Sequence, residues 1–200
     1  AILASNGFTA NPDIFECDKG YVAMYMPNFD YEGMLKFGPP FRLVDPGYSI
    51  KMFPSQFGTH FVITAALEAR EQIEDISKIK KINLTTPSME YVNRPAPQQG
   101  LAGKFSFQYT ACAALLDGEV VIDTFEDERR FAPDMEAMLK KVSLTQDTER
   151  PARFEEEVVD LEVVLEDGTK VVTRCDGPKG SWNGEPLEPG AHAEKLRMCL

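Results

Sequence analysis

The chain has 200 residues, of which 43% are hydrophobic and 26% charged, and its 32 acidic and 21 basic residues give a net charge of −11. This composition is ordinary for a globular protein of one or two domains with an adequate core. The acidic balance argues against nucleic acid or an anionic membrane surface as a partner.

The first 50 residues contain no long periodic segment. Residues 1–7 have the pattern of a last helical turn that a glycine ends. Glycines and prolines then divide residues 8–48 into short pieces, compatible with one short helix at 29–37. A strand is predicted at 48–52, and it leads into the loop that follows.

The next stretch joins a loop to a helix, and its sequence at 51–60 is KMFPSQFGTH. Pro54 and Gly58 indicate the loop, and Thr59 is the predicted N-cap. Apolar residues then recur at helical spacing and predict a helix at 59–73 with one apolar stripe.

His60 is predicted to project away from that apolar stripe, because successive residues turn by about 100° around a helix. Lys51, His60 and several small polar groups thus meet at a helix N-terminus. Free N–H groups and the positive end of the helix dipole favour an anion there, such as a carboxylate. The alternative interpretation is a solvated surface loop without a ligand.

The middle of the chain alternates strand and helix signals. Ile82 and Leu84 alternate as in a strand. A second helix is predicted at about 104–117, and Gly118 ends it. Tyr109 lies on the apolar face of this helix, so its hydroxyl needs a partner from protein, water or substrate.

The last third contains the clearest β pattern. A helix is predicted at 134–141 and a short strand at 142–144. Residues 158–165 and 170–174 are β-branched runs around an Asp-Gly turn, which predicts a hairpin. Interleaved helices and strands with a hairpin predict an α+β fold, a two-layer sandwich of helices on a mainly antiparallel sheet.

The other clusters of titratable residues do not predict a further site. The glutamates at 155–157 are interpreted as a solvated surface cluster. With two histidines and no Cys-x-x-Cys pair, we expect no metal site and no cofactor. The sequence shows no signal peptide and no run of about 18 apolar residues, so we expect a cytoplasmic, reduced protein without a membrane partner. The four cysteines are scattered: Cys17, Cys112, Cys175 and Cys199.

Two blocks resemble the MmgE/PrpD family, which includes 2-methylcitrate dehydratase, cis-aconitate decarboxylase and iminodisuccinate epimerase. The first is the KMFPSQFGTH stretch followed by an Ala-rich helix. The second comprises YVNRPAP at 91–97 and FSFQYTACAALLDG at 105–118, and it is close to the decarboxylase branch. The resemblance extends loosely along nearly the whole chain.

The resemblance implies a domain organisation. Residues 1–46 are expected to be the end of a large helical domain and a linker, and residues 47–180 the smaller α+β domain. Residues 181–200 then begin the return to the helical domain. The implied partners are a small polycarboxylate substrate, a helical domain from further sequence or a partner chain, and a second copy in a homodimer.

The resemblance also implies a site. Lys51, His60 and Tyr109 are the expected catalytic residues, lining one concave face, and they handle a proton or carboxyl group next to a carboxylate. Ser55, Gln56 and Thr59 are the expected substrate-binding residues. Gln56 stands where the decarboxylases have a catalytic histidine, and a neutral amide cannot exchange a proton at pH 7. We therefore expect a lyase or isomerase part that is inactive alone; the alternative is a non-catalytic α+β module that binds a ligand or a protein.

Overall fold

A computed structural model describes residues 1–26, 28–45, 47–182, 184 and 187–198. The chain divides into two compact units, 1–45 and 46–200. The first unit contains three short helices, and Gly7 ends the first of them with φ of 83°. Many of its apolar side chains are exposed, for example Phe37 at 90%. These helices are α1 (Ile2–Ser5), α2 (Tyr21–Tyr25) and α3 (Tyr31–Met34).

The second unit contains a four-stranded sheet with the order β2-β1-β3-β4. The β1–β2 pair is parallel, whereas β1–β3 and β3–β4 are antiparallel. The predicted α+β class with a mainly antiparallel sheet is therefore confirmed. The strands are β1 (Ile79–Pro87), β2 (Val142–Asp147), β3 (Val159–Leu165) and β4 (Lys170–Cys175).

The helices of this unit are α4 (Phe57–Glu71), α5 (Gly100–Gly103), α6 (Phe107–Asp117), α7 (Asp127–Arg130), α8 (Pro133–Leu139) and α9 (Ala191–Met198). Three of them, α4, α6 and α8, correspond to the predicted ones with shifted boundaries, whereas α5 and α7 were not predicted. The predicted strand at 48–52 is wrong: those residues are irregular, and Ile50 N–H donates to Gly180 O at 2.7 Å. Cys199, one of the four scattered cysteines, lies outside the described residues.

Helices cover one face of the sheet. Alternate residues of β3 and β4, such as Leu161 and Val171, are buried under α4, while Glu162 and Lys170 pair on the opposite face at 2.8 Å. The Thr173 hydroxyl donates to Ala65 O at 2.8 Å and ties β4 to α4. Burial of each large apolar side chain here stabilises the fold by about 1.5–3 kcal/mol.

Helix α4 is buried on more than one side, because it also packs against α6. Arg70 in its last turn donates to Leu116 O at 3.0 Å, which satisfies a free carbonyl at the end of α6. Gly118 follows α6 with φ of 75°, a left-handed conformation that glycine adopts without strain. This packing holds α4 in place against α6, and the candidate site lies at the other end of α4.

Candidate active site

A pocket of about 430 Å³ opens beside the loop that precedes α4. Three of its lining residues are lysines, and no carboxylate is among the described residues that line it. This local surplus of positive charge contrasts with the chain's net charge of −11. The pocket is therefore suited to a small anion. The lysines are Lys51, Lys104 and Lys195.

Two of these lysines donate to backbone carbonyls, and the third lies over an aromatic ring. The Lys51 ammonium donates to Ser55 O at 3.1 Å, and the Lys195 ammonium donates to Lys51 O. The Lys104 ammonium lies 5.5 Å from the centre of the Phe125 ring. No sequence pattern indicates Lys104 or Lys195 as site residues, because they come near Lys51 only in the folded chain.

Gln56 is the N-cap of α4, so the prediction of Thr59 in that role is wrong. The Gln56 side-chain oxygen accepts from Thr59 N–H at 3.3 Å, and the helix starts at Phe57, two residues before the predicted start. The side chain of glutamine is long enough to reach the N–H three residues on, which places the cap earlier. Its amide nitrogen donates to the Tyr91 hydroxyl at 2.7 Å.

The side chains of Ser55, in the loop, and Thr59, in the first turn of α4, are buried. The Thr59 hydroxyl donates to Gln56 O at 2.6 Å and lies 2.8 Å from the Ser55 hydroxyl. Thr59 is not among the pocket-lining residues, whereas Ser55 and Gln56 are. Of the expected substrate-binding residues, the structure thus places two at the pocket.

His60 does not project into solvent, and this corrects the prediction. It is fully buried, with the rings of Phe53 and Phe57 centred 5.2 and 5.1 Å away. Neither ring nitrogen has a hydrogen-bond partner among the described residues. Burial first, and the Lys51 charge second, lower the pKa of His60 to about 4, so the imidazole is neutral at pH 7.

Tyr109 is also buried, so it does not share the opening with Lys51. Its side chain is 0% exposed, and its hydroxyl donates to Thr124 O. Burial raises the pKa of Tyr109 to about 12. The expected concave face of Lys51, His60 and Tyr109 is therefore corrected: only Lys51 lines the pocket, and catalytic roles for the other two stay predictions.

Glu157 was interpreted as part of a solvated cluster, and this is wrong. It is 0% exposed, and neither carboxylate oxygen has a partner in the part of the chain that the structure describes. Burial raises its pKa to about 8. The adjacent Glu155 and Glu156 are exposed, as predicted. Sequence alone gave no signal for this difference within a run of three identical residues.

Not every pocket among the described residues suits an anion. One of about 610 Å³ is lined by carboxylates, which repel negative ligands: Asp117, Glu119, Asp123, Glu126 and Glu128. Within the described ranges, no group of three or more His, Cys, Asp or Glu residues is arranged to hold a metal ion. None of the helices among these residues is long and apolar enough to cross a membrane.

Comparison with known proteins gives a consistent result. A family model described as the MmgE/PrpD C-terminal domain matches residues 53–200. The chain is 31% identical over 203 residues to a cis-aconitate decarboxylase of Mus musculus, covering 98% of this chain and 41% of that protein. It is 30% identical over 204 residues to a cis-aconitate decarboxylase of Homo sapiens, covering 98% and 42%. The chain therefore spans about two fifths of the length of the curated relatives it matches.

Proposed function

Because the chain belongs to the MmgE/PrpD family, whose C-terminal domain matches residues 53–200, we propose that it supplies the carboxylate-binding part of a lyase active site for small polycarboxylates. The observation that carries this proposal is the pocket with three lysines and no lining carboxylate. The names of the two relatives add that cis-aconitate, a tricarboxylate, is the first substrate to consider.

The charges of the pocket favour two or three carboxylates on one ligand. An ammonium group acts as a point charge with three donors, so each lysine can hold one carboxylate. At an effective dielectric of about 20, opposite charges about 4 Å apart attract by roughly 4 kcal/mol before desolvation. The three basic side chains, Lys51, Lys104 and Lys195, equal in number the carboxylates of a tricarboxylate.

The same charges assist the proposed chemistry. Removing a proton or a carboxyl group next to a carboxylate builds negative charge on the remaining carbon skeleton and its carboxyl oxygens. Fixed cations at those oxygens lower the barrier because they bind the developing charge more strongly than the ground state. Lys51 is the residue to which we assign this role, since the loop holds its ammonium at the opening.

The proton-transfer group is proposed to lie outside this pocket. Gln56 cannot exchange a proton at pH 7, and His60 and Tyr109 are buried away from the opening. We infer that a helical domain, from further sequence or from a second copy in a homodimer, supplies the acid or base. The chain by itself is then a binding module, and this burial is the observation that favours the non-catalytic alternative for the isolated chain.

Binding of an unreactive tricarboxylate tests the proposal directly. Tricarballylate is titrated into the chain at pH 7 by calorimetry, and Lys51→Ala is compared with Lys80→Ala. Lys80 is exposed and does not line the pocket, so it controls for the change in net charge. Loss of one charged contact costs about 1.5–3 kcal/mol, so Lys51→Ala should weaken binding about 10- to 100-fold. Equal affinity in both variants, or no binding by the unaltered chain, contradicts the proposal.

A turnover assay of the chain alone is a second test of the proposal. The chain alone, incubated with cis-aconitate and followed by NMR, is expected to give no product. Clear turnover would show that the acid or base lies within these 200 residues. It would contradict the proposal that a helical domain supplies this group.

A further inference from the structure

A contact between two aromatic rings places the segment that contains Glu157 against the beginning of α4. The Phe154 ring lies 5.2 Å from the Phe57 ring, edge to face. Three residues later the Glu157 carboxyl group is fully buried, with neither oxygen partnered among the described residues. A buried carboxyl group without a hydrogen bond is costly, and ionisation makes it more so.

Gly58 shows what this carboxyl group faces. A Cβ added to Gly58 would lie 3.3 Å from Glu157 Oε1, 3.0 Å from Gln56 Oε1 and 3.3 Å from Met89 Sδ. The Glu157 and Gln56 side chains therefore approach the same point, next to the position that a side chain at Gly58 would occupy. Gln56 also lines the lysine pocket and donates to the Tyr91 hydroxyl.

We infer that Glu157 is a positioning residue of the polycarboxylate site, because its buried carboxyl group sets the orientation of the Gln56 amide that lines the pocket. As a neutral acid, Glu157 has an O–H that can donate to the Gln56 side-chain oxygen. As a carboxylate it only accepts, so the Gln56 NH₂ group or the Tyr91 O–H must turn towards it. Rotation of the Gln56 amide would break the cap on Thr59 N–H and change which atom Gln56 presents to the ligand.

The raised pKa of Glu157, about 8, supports this arrangement, since the acid is then neutral at pH 7. Other ionisable groups near the cluster titrate elsewhere. His60 at the same end of α4 has a pKa of about 4. Burial, and then the Glu157 charge, raise the pKa of Tyr91 above its ordinary value of 10. Lys51 and Lys104 are basic residues that line the pocket beside Gln56.

The experiment follows the side-chain amide of Gln56 by ¹⁵N–¹H NMR from pH 6 to pH 9.5 in the ligand-free chain. Its resonances are expected to move with a midpoint near 8 in the unaltered chain and to stay still in Glu157→Gln. Glu155→Gln is the matched control, because Glu155 is exposed and two residues away, and it should titrate like the unaltered chain. The Gln108 amide, which donates to Asn93 Oδ1, is the internal reference.

A carboxyl ¹³C titration of Glu157 keeps the inference falsifiable if Glu157→Gln fails to fold. A midpoint at the ordinary glutamate value overturns the inference, and so does a Gln56 amide that does not respond to pH. A pH response of the Gln56 amide that persists in Glu157→Gln also overturns the inference. Tyr91→Phe should retain the midpoint near 8, which excludes ionisation of the phenol as its cause.

This inference rests on the proposed function only for its effect on binding, and the two can fail separately. Tricarballylate affinity should fall about 3- to 10-fold between pH 6.5 and pH 9 in the unaltered chain and stay constant in Glu157→Gln. If the Gln56 amide titrates but tricarballylate does not bind, the proposed function fails and the positioning of Gln56 stands. If tricarballylate binds with the same pH dependence in both proteins, the role of Glu157 in binding is refuted and the lysine pocket stands.

Discussion

Replacing Glu157 by glutamine should change how the stability of the chain depends on pH. In the folded chain burial raises the pKa of this carboxyl group from 4.5 to about 8. Folding therefore takes up a proton between these two values, and the free energy of unfolding falls as the pH rises through this window. Glutamine has nearly the same shape and cannot ionise, so the variant lacks this dependence.

The size of the effect follows from the two pKa values. Between pH 5 and pH 8 the unaltered chain should lose about 3 kcal/mol of unfolding free energy relative to Glu157→Gln. With a urea dependence of about 1–3 kcal/mol per molar, the difference between the two midpoints should change by roughly 1–3 M. His60 also titrates in the acid part of this range, but it does so equally in both proteins and cancels in the difference.

Urea unfolding at pH 5, 6, 7 and 8, followed by circular dichroism, measures this difference. The two midpoints should be similar at pH 5 and should diverge steadily towards pH 8, with the variant becoming the more stable protein. Glu155→Gln should follow the unaltered chain, because Glu155 is exposed. Parallel curves for the unaltered chain and Glu157→Gln at all four values would refute the buried, neutral acid.

Two further predictions concern the other buried titratable residues. His60 is protonated below pH 6.5 when unfolded but only below about 4 when folded, so the chain should lose about 3 kcal/mol between pH 7 and pH 4; His60→Phe should remove this loss in urea titrations. The exposed His192→Phe should keep it. Tyr109→Phe leaves Thr124 O without its donor and should cost about 1–3 kcal/mol at pH 7 by thermal or urea unfolding. An unchanged midpoint would contradict the buried hydrogen bond.

The fold class and most elements could be predicted from the sequence because local patterns determine them. The β3–β4 hairpin follows from two β-branched runs around an Asp-Gly turn. The α6 helix follows from apolar spacing and the glycine after it. The irregular segment at 48–52 was predicted as a strand because its few apolar residues also fit a strand. Its observed conformation depends on a contact with Gly180, which is distant in the sequence.

The candidate site was harder to predict because burial there depends on distant contacts. Helical periodicity places His60 opposite one apolar stripe of α4. The helix is nevertheless covered on several sides, and the Phe53 ring packs against the imidazole. Glu157 is buried because Phe154 packs on Phe57, nearly one hundred residues earlier in the chain. Lys51, in contrast, lies on a loop whose Pro and Gly residues are visible in the sequence, and the structure places it at the pocket.

A chemical-shift map of the ¹⁵N-labelled chain with tricarballylate at pH 7 tests the central claim most directly. The lysine pocket predicts that the largest changes cluster at residues 51–56, at Lys104 and at Lys195, and that Lys51→Ala shifts them to higher tricarballylate concentrations while Lys80→Ala does not. Changes centred elsewhere in the chain, or none at millimolar ligand, would contradict the assignment of this pocket as the polycarboxylate site.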